Sequence, residues 1–208
     1  MTGYRTVADA ATASFTEKKS EFIGNIAPCK TEEEAIAFIQ EIRRQHRKAN
    51  HNCYAYILRN NNTMRHSDDG EPGGTAGAPM LEVLKKEGLT DVCCVVTRYF
   101  GGIMLGAGGL VRAYTEGAKI AVDAAQIKEM RMAERLRLTL DYSLYGRIGA
   151  ALSELDVRVS KEDFAADVTL TVYIAEEKSR ELSARLTDIC CGKIIIESLG
   201  SEEYNFCK

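Results

Sequence analysis

The sequence predicts an α+β fold with two domains, and three observations support this prediction. Apolar runs typical of strands alternate with amphipathic runs typical of helices along all 208 residues. A charged stretch, IKEMRMAERL at 127–136, separates an earlier part of the chain from a later one. The order of elements after that stretch is β-α-β-β-α-β, which is typical of a ferredoxin-like domain. We therefore expect one domain at 1–130 and a second at 131–208.

The first part of the chain alternates between strand and helix patterns. Its clearest helix covers residues 31–48, because Thr31 and Glu34 form a capping-box pattern and apolar residues then recur at helical spacing. A second helix is expected to open at Thr75 or the glycines before it, and to end at Gly88. The remaining predictions are strands at 20–29, 52–58, 63–67 and 91–100, and a helix at 109–126.

The second part of the chain supplies the elements of the predicted ferredoxin-like domain. Strands are predicted at 135–143, 156–163, 166–174 and 193–200, with helices at 144–155 and 176–190. Each part has its own set of elements and enough length for a core. We therefore expect the two domains to fold separately.

Charge and composition exclude some kinds of partner. The net charge is −3 and neither part has a strong basic excess, which argues against a protein that coats DNA. The basic run RRQHRK at 43–48 ends a predicted helix that begins with three glutamates. Acid at the positive end of a helix and base at the negative end suit the helix dipole. This arrangement favours a solvated helix end over a nucleic-acid patch.

The sequence also carries expectations about location. No apolar run approaches the roughly 20 residues of a membrane span, and the N-terminal segment has no apolar core of signal-peptide length. The seven cysteines form no CxxC pair, so zinc-knuckle and thioredoxin motifs are absent. We therefore expect a cytoplasmic protein with reduced thiols, no cofactor, no metal ligands and no membrane partner.

A glycine-rich stretch, RYFGGIMLGAGGLVRAY at 98–114, joins a predicted strand to a predicted helix. Glycines let backbone N–H groups approach a ligand, and the start of a helix attracts anions. Arg98 and Arg112 flank the stretch and could bind a phosphate or carboxylate. The stretch lacks the lysine of a Walker loop and has Val111 in place of the third glycine of a dinucleotide motif. Anion binding and a purely structural turn both remain open.

A second stretch, SDDGEPGGTAGAP at 67–79, combines acid with glycine. Asp68, Asp69 and Glu71 could hold Mg²⁺ beside a phosphate, cap the following helix or pair with an arginine. Capping and pairing are favoured, because the spacing of a calcium loop is absent. His51 and Cys53 alternate along a predicted strand and therefore share one face of it.

These stretches resemble those of the IMPACT/YigZ family. The two loops carry the resemblance, together with KKSEFIG at 18–24 and ANHNCYAY at 49–56. The resemblance implies an N-terminal domain like the second domain of ribosomal protein S-five. It also implies a C-terminal domain like one found in elongation factors, and a role connected with translation. The wider superfamily includes small-molecule kinases whose glycine-rich loop holds phosphate, but LGAGGLVRA lacks the serines of that loop.

We therefore carry three hypotheses about function. The first is a non-enzymatic, translation-associated protein that contacts RNA, the ribosome or a translation factor through an anion site. That site would consist of Arg98, Gly101, Gly102, Gly106, Gly108, Gly109 and Arg112. Its supporting residues would be His51, Asp68, Asp69, Glu71 and Thr75, with the acidic and glycine stretches meeting at one end of a sheet. The alternatives are a phosphate-handling enzyme with Mg²⁺ on the acidic stretch, and a protein-interaction module whose loops are only structural.

Overall fold

The computed structural model describes residues 3–207, which form two compact units. The N-terminal unit covers residues 4–128, and the C-terminal unit covers residues 129–207 together with Gly3. Both units combine helices with antiparallel sheets, which confirms the predicted α+β class. No helix within residues 3–207 is long and apolar enough to cross a bilayer.

The N-terminal unit is built around a five-stranded antiparallel sheet with the order β2-β3-β6-β4-β5. The strands of this sheet are β2 (Ala11–Glu17), β3 (Ser20–Pro28), β4 (His51–Leu58), β5 (Thr63–Ser67) and β6 (Val92–Tyr99), and a further strand, β1 (Tyr4–Val7), lies outside it. Its helices are α1 (Glu32–Gln45), α2 (Gly77–Lys86) and α3 (Ala107–Ala124).

Helices cover both faces of this sheet. Side chains of α1 share a core with Cys93 and Val95, whereas side chains of α2 and α3 share a core with Cys94 and Val96 on the opposite face. A central strand that is buried on both faces has no polar alternation, which explains the unbroken apolar run of β6. The sheet is therefore the middle layer of three.

A close contact between glycines fixes α3 against β3. A Cβ atom on Gly24 would lie 2.1 Å from the carbonyl oxygen of Gly117, which no side chain can tolerate. The helix therefore packs directly on the backbone of the strand. This contact holds α3 against the sheet and so fixes the position of its N-terminal turn.

Within the C-terminal unit, four antiparallel strands pair in the order β8-β9-β7-β10, and two helices accompany them. Its elements are β7 (Ile127–Leu140), α4 (Tyr142–Glu154), β8 (Arg158–Phe164), β9 (Val168–Ala175), α5 (Ser179–Ile189) and β10 (Ile194–Asn205). Both helices share one core with alternate side chains of β7 and β9, so the helices lie on one face. The predicted β-α-β-β-α-β order is confirmed.

Three local predictions were incomplete or wrong. The charged joint at 127–136 is part of β7, because its backbone pairs with β10 from Met130 to Glu134 while its charged side chains stay outside the core. Strands β1 and β2 were not predicted, since their short, largely polar sequences carry a weak apolar pattern. Helix α2 begins at Gly77 rather than at Thr75.

Candidate functional site

The acidic loop (residues 68–76) and the glycine loop (residues 100–106) meet at one end of the N-terminal sheet. The first follows β5 and leads into α2, and the second follows β6 and leads into α3. Both loops line one cavity, and beside it Nη1 of Arg98, near the end of β6, donates to Oε1 of Glu71 in the acidic loop at 2.7 Å. The expectations that the loops meet, and that a carboxylate pairs with an arginine, are confirmed.

The Glu71–Arg98 pair is buried and supported from several sides. Only 4% of the Glu71 side chain and 7% of the Arg98 side chain are exposed. The hydroxyl of Tyr114 donates to the same Glu71 oxygen at 2.7 Å, and the guanidinium of Arg98 lies 5.5 Å from the ring centre of Phe22. Burial, followed by the neighbouring Cys53 and Glu71, raises the pKa of Tyr114, so this hydroxyl remains a neutral donor. The pair neutralises Arg98 within the protein.

Asp68 organises the acidic loop by accepting backbone hydrogen bonds. Its carboxylate accepts from the N–H groups of Gly74 at 2.8 Å, Ala76 at 3.0 Å and Gly77 at 2.8 Å. It thereby caps α2, whose own N-cap residue, Ala76, has no side-chain acceptor. Burial raises the pKa of Asp68, but the three donors outweigh burial and hold that pKa below its ordinary value. The expected capping role is confirmed here.

Asp69 ties the acidic loop to α1 and β4. Its side chain accepts from Nη2 of Arg43 at 2.5 Å and from the N–H of Asn52 at 2.7 Å. Its backbone carbonyl lies 2.9 Å from Nδ1 of His51, which must therefore carry the ring proton in this contact. Nε2 of His51 lies 3.8 Å from Oε1 of Glu71. The basic end of α1 thus has an internal partner, as the helix-end interpretation favoured.

The three acidic side chains do not converge on one point. Asp68 faces the start of α2, Asp69 faces Arg43, and Glu71 faces Arg98. Thr75 donates to the carbonyl of Pro72 at 2.6 Å and so stabilises the loop itself. Within residues 3–207, no group of three or more His, Cys, Asp or Glu side chains is placed to hold a metal ion. The geometry of the acidic loop is that of a structural support.

The glycine loop leaves the start of α3 open. The first helical hydrogen bond joins the N–H of Leu110 to the carbonyl of Gly106, so the N–H groups of Ala107, Gly108 and Gly109 precede the helical ladder. Gly106 is the N-cap, with a φ of 72° that favours glycine. Among the described residues, no side chain caps this helix, and its first turn contains no acid.

Gly101 allows a close packing contact. A Cβ on Gly101 would lie 1.9 Å from the carbonyl oxygen of Lys19, in the β2–β3 turn. Gly102 has a φ of 84° and no close neighbour. At Gly101 the glycine loop therefore packs against the β2–β3 turn, while other residues of the loop face the acidic loop across a cavity.

A cavity of about 420 Å³ lies between the two loops. It is lined by His51, Gly70, Glu71, Pro72, Arg98, Phe100, Met104, Leu105, Gly106, Ala107 and Leu110. Phe100, Ile103 and Met104 leave large apolar surfaces exposed on the glycine loop, with Met104 83% exposed. The cavity therefore combines an apolar rim with the open start of α3.

The structure places Arg98 and Arg112 differently from the expectation that both reach one anion. Arg98 lines the cavity but is bonded to Glu71, and its Nε is buried without a hydrogen-bond partner among residues 3–207. Arg112 is exposed and does not line this cavity, but lines a neighbouring groove with Leu105 and Gly109. Its Nη1 lies 3.8 Å from the position of a Cβ on Gly108, so its charge stays near the first helical turn.

Sequence reasoning missed two kinds of residue at this site. Tyr114 was not singled out, and nothing in the helical pattern of α3 distinguishes a tyrosine whose hydroxyl meets a buried acid from an ordinary core residue. Phe100 and Met104 were considered only as members of the glycine-rich stretch and were not identified as site residues. Their signal was present, since bulky apolar residues within a loop are unusual unless something covers them.

These features define a two-domain α+β protein in which a glycine-rich turn into a helix lies beside a buried Glu–Arg pair. Residues 18–122 match the family model described as the Impact N-terminal domain. Residues 138–193 match the model described as a domain of unknown function, DUF1949. The chain belongs to the IMPACT family.

Relatives support this assignment over most of the chain. The IMPACT family member YvyE of Bacillus subtilis (strain 168) is 40% identical over 191 residues, which cover 91% of this chain and 88% of the relative. The IMPACT family member YigZ of Escherichia coli (strain K12) is 37% identical over 180 residues, covering 85% and 88%. A crystal structure of a protein described as hypothetical is 34% identical, with a TM-score of 0.61 over 97% of this chain and 100% of that one.

Proposed function

We propose that this protein is a non-enzymatic, translation-associated binding protein of the cytoplasm that holds RNA phosphate at the start of α3. Membership of the IMPACT family supports the connection with translation. The observation that carries the binding role is the uncapped start of α3, which opens into the cavity between the two loops.

Electrostatics at the start of α3 favour an anion. The N-terminus of a helix carries a partial positive charge, and its first N–H groups can donate to phosphate oxygens. The nearest carboxylate in the cavity is that of Glu71, whose charge is already balanced by Arg98. Arg112 adds an exposed positive charge close to the first turn. Phosphate contacts of this kind do not distinguish bases, so affinity should depend on salt and little on sequence.

A charge placed at Ala107 tests this proposal without disturbing the fold. Ala107 is the first residue of α3 and is exposed, and an acid at that position stabilises a helix through its dipole. In filter binding with 15-nucleotide oligouridylate and oligoadenylate, we expect Ala107→Glu to weaken both by about tenfold, or roughly 1.4 kcal/mol. Ala107→Gln is the matched neutral control and should bind like the parent. Equal binding by the Glu and Gln variants would contradict the proposal.

Substitutions of two arginines distinguish RNA binding at the start of α3 from RNA binding at the basic end of α1. We expect Arg112→Ala to weaken both RNAs alike and to reduce the salt slope by about one. Arg43→Ala should leave the affinity unchanged, because Arg43 is paired with Asp69. If Arg43→Ala alone weakens binding, the RNA contacts the basic end of α1 instead.

A further inference from the structure

Strand β2 is a free edge of the N-terminal sheet. It stands at the end of the strand order and pairs only with β3. The structure shows no backbone hydrogen bond to β2 from any other described segment. The free side of β2 is therefore available to another strand.

The β2–β3 turn determines which backbone groups face this free side. Two residues, Lys18 and Lys19, form the turn, with φ values of 47° and 65° that suit a tight hairpin. In such a hairpin the flanking residues exchange hydrogen bonds, and the pattern then alternates along the strand. The N–H and C=O groups of Thr12, Ser14 and Thr16 therefore point away from β3, and these three residues are exposed.

The free edge lacks the usual protection against strand addition. Edge strands commonly carry lysine, proline, a bulge or inward charge that prevents another strand from pairing. Residues 11–16 of β2, ATASFT, contain no charge and no proline, and their register with β3 has no bulge. The edge is therefore neutral as well as open, which matches an uncharged peptide strand and disfavours a polyanion.

A groove runs beside this edge, between β2 and α3. It has a volume of about 350 Å³ and an apolar floor formed by Phe15, Leu105 and Ala113. Two positive groups at its margin, Lys18 and Arg112, are balanced by two negative ones, Glu17 and Glu116. A balanced margin over an apolar floor suits an uncharged apolar side chain. A strand added to β2 would place alternate side chains on the α3 side, where this groove lies.

We propose that β2 is a docking edge for an extended segment of a protein partner, which adds as a further strand and places an uncharged apolar side chain between β2 and α3. Backbone hydrogen bonds to Thr12, Ser14 and Thr16 supply the attachment, and the groove supplies the side-chain preference. The groove shares Gly109 and Arg112 with the start of α3, but the outward N–H groups belong to β2, so substitutions at Ser14 and at Ala107 test the two proposals separately.

A displayed library of random nonapeptides provides the probe. Peptides selected on the full chain should share an apolar residue at one fixed position. In hydrogen exchange followed by NMR, the synthetic form of a selected peptide should slow the N–H groups of Thr12, Ser14 and Thr16 at least tenfold. The N–H groups of Ala13 and Phe15 should change little, because they are already bonded to β3.

Proline at the edge provides the matched variant. Ser14→Pro removes an outward N–H without removing a bond to β3, so we expect at least tenfold weaker peptide binding with little change in Tm. Ser14→Val keeps that N–H and should bind within threefold of the parent. If the proline variant does not fold, the hydrogen-exchange pattern of the parent with bound peptide still tests the proposal. The proposal is overturned by the absence of selected peptides, by binding that leaves these three N–H groups unprotected, or by protection that rises with protein concentration alone, which would indicate a second copy.

Discussion

The acidic loop and the glycine loop lie side by side, yet the protein uses their polar groups to very different extents. In the acidic loop, all three carboxylates are bonded to partners within the N-terminal unit. In the glycine loop, the N–H of Phe100 donates to the side chain of Asn50 and that of Gly101 donates to the side chain of Ser20, but the first N–H groups of α3 have no helical partner. Apolar side chains of the glycine loop are also exposed.

This difference shows that conspicuous composition is a poor guide to where a ligand binds. The acidic loop has the more obvious ligand atoms, but those atoms are already hydrogen-bonded to other groups of the folded protein. The glycine loop has no functional side chains of its own, yet its open helix start is the stronger candidate for binding. Loss of an acidic side chain should therefore reduce stability, with an effect that grows with the burial of its partner.

Glu71 should show the largest effect. Glu71→Gln leaves the guanidinium of Arg98 buried without a counter-charge, and breaking a buried pair in this way costs about 3–5 kcal/mol of unfolding free energy. Urea unfolding of the full chain measures the loss. Glu82→Gln is the control, because Glu82 forms an exposed pair with Lys85 and its loss should leave the midpoint unchanged. Equal stability of the two variants would show that the Glu71–Arg98 pair does not hold the loops together.

Asp68 should show an intermediate effect that depends on pH. Asp68→Ala removes the acceptor of three backbone N–H groups, and we expect a loss of about 2–3 kcal/mol at neutral pH. The pKa of Asp68 is lowered in the folded state, so its contribution is present above the unfolded pKa of about 3.9. That contribution is lost as the pH falls through the lower, folded pKa.

Unfolding at two pH values tests this sign. The difference between parent and Asp68→Ala should be constant from about pH 5 to pH 8 and should shrink below about pH 4. A difference that grows on acidification would mean that the folded protein prefers the protonated acid, contrary to the three observed donors.

Asp69 should show the smallest effect. It is partly exposed, as is its partner Arg43, and such pairs contribute about 1 kcal/mol or less. Asp69→Asn should therefore lower stability only slightly. Because the three carboxylates point to different partners, calorimetry with millimolar Mg²⁺ should detect no binding heat in either protein. Binding heat that Asp69→Asn abolishes would instead make the acidic loop a metal site and support the enzyme alternative.

Local signals predicted much of the fold because their physical causes lie within a few residues. The start of α1 is an example, since Thr31 accepts from the N–H of Glu34 at 3.2 Å as predicted, while Glu34 accepts from the N–H of Lys30, one residue before the N-cap, at 2.6 Å. Strand β5 was predicted at 63–67, where it is observed. The order of elements in the C-terminal unit was predicted for the same reason, because each apolar period is local.

Partners distant in the sequence could not be predicted in the same way. The sequence indicated that an acid would pair with an arginine, but only the packed sheet selected Glu71 for Arg98 and Asp69 for Arg43. It named Arg98 and Arg112 for one anion site, whereas Arg98 lines the cavity between the loops and Arg112 lines a separate groove, because the direction of a helical side chain depends on how the helix rotates against the sheet.

The sequence by itself determined the α+β class, the family, the position of most elements and the acidic and glycine character of the two loops. These properties follow from periodicity, caps and local composition. Only the tertiary structure decided that the acidic side chains are bonded to internal partners, that the start of α3 is open and that one side of β2 is a free sheet edge. Those properties depend on which backbone and side-chain groups find partners in the folded chain, as Glu71 and Arg98 do across 27 residues, and no local pattern encodes that outcome.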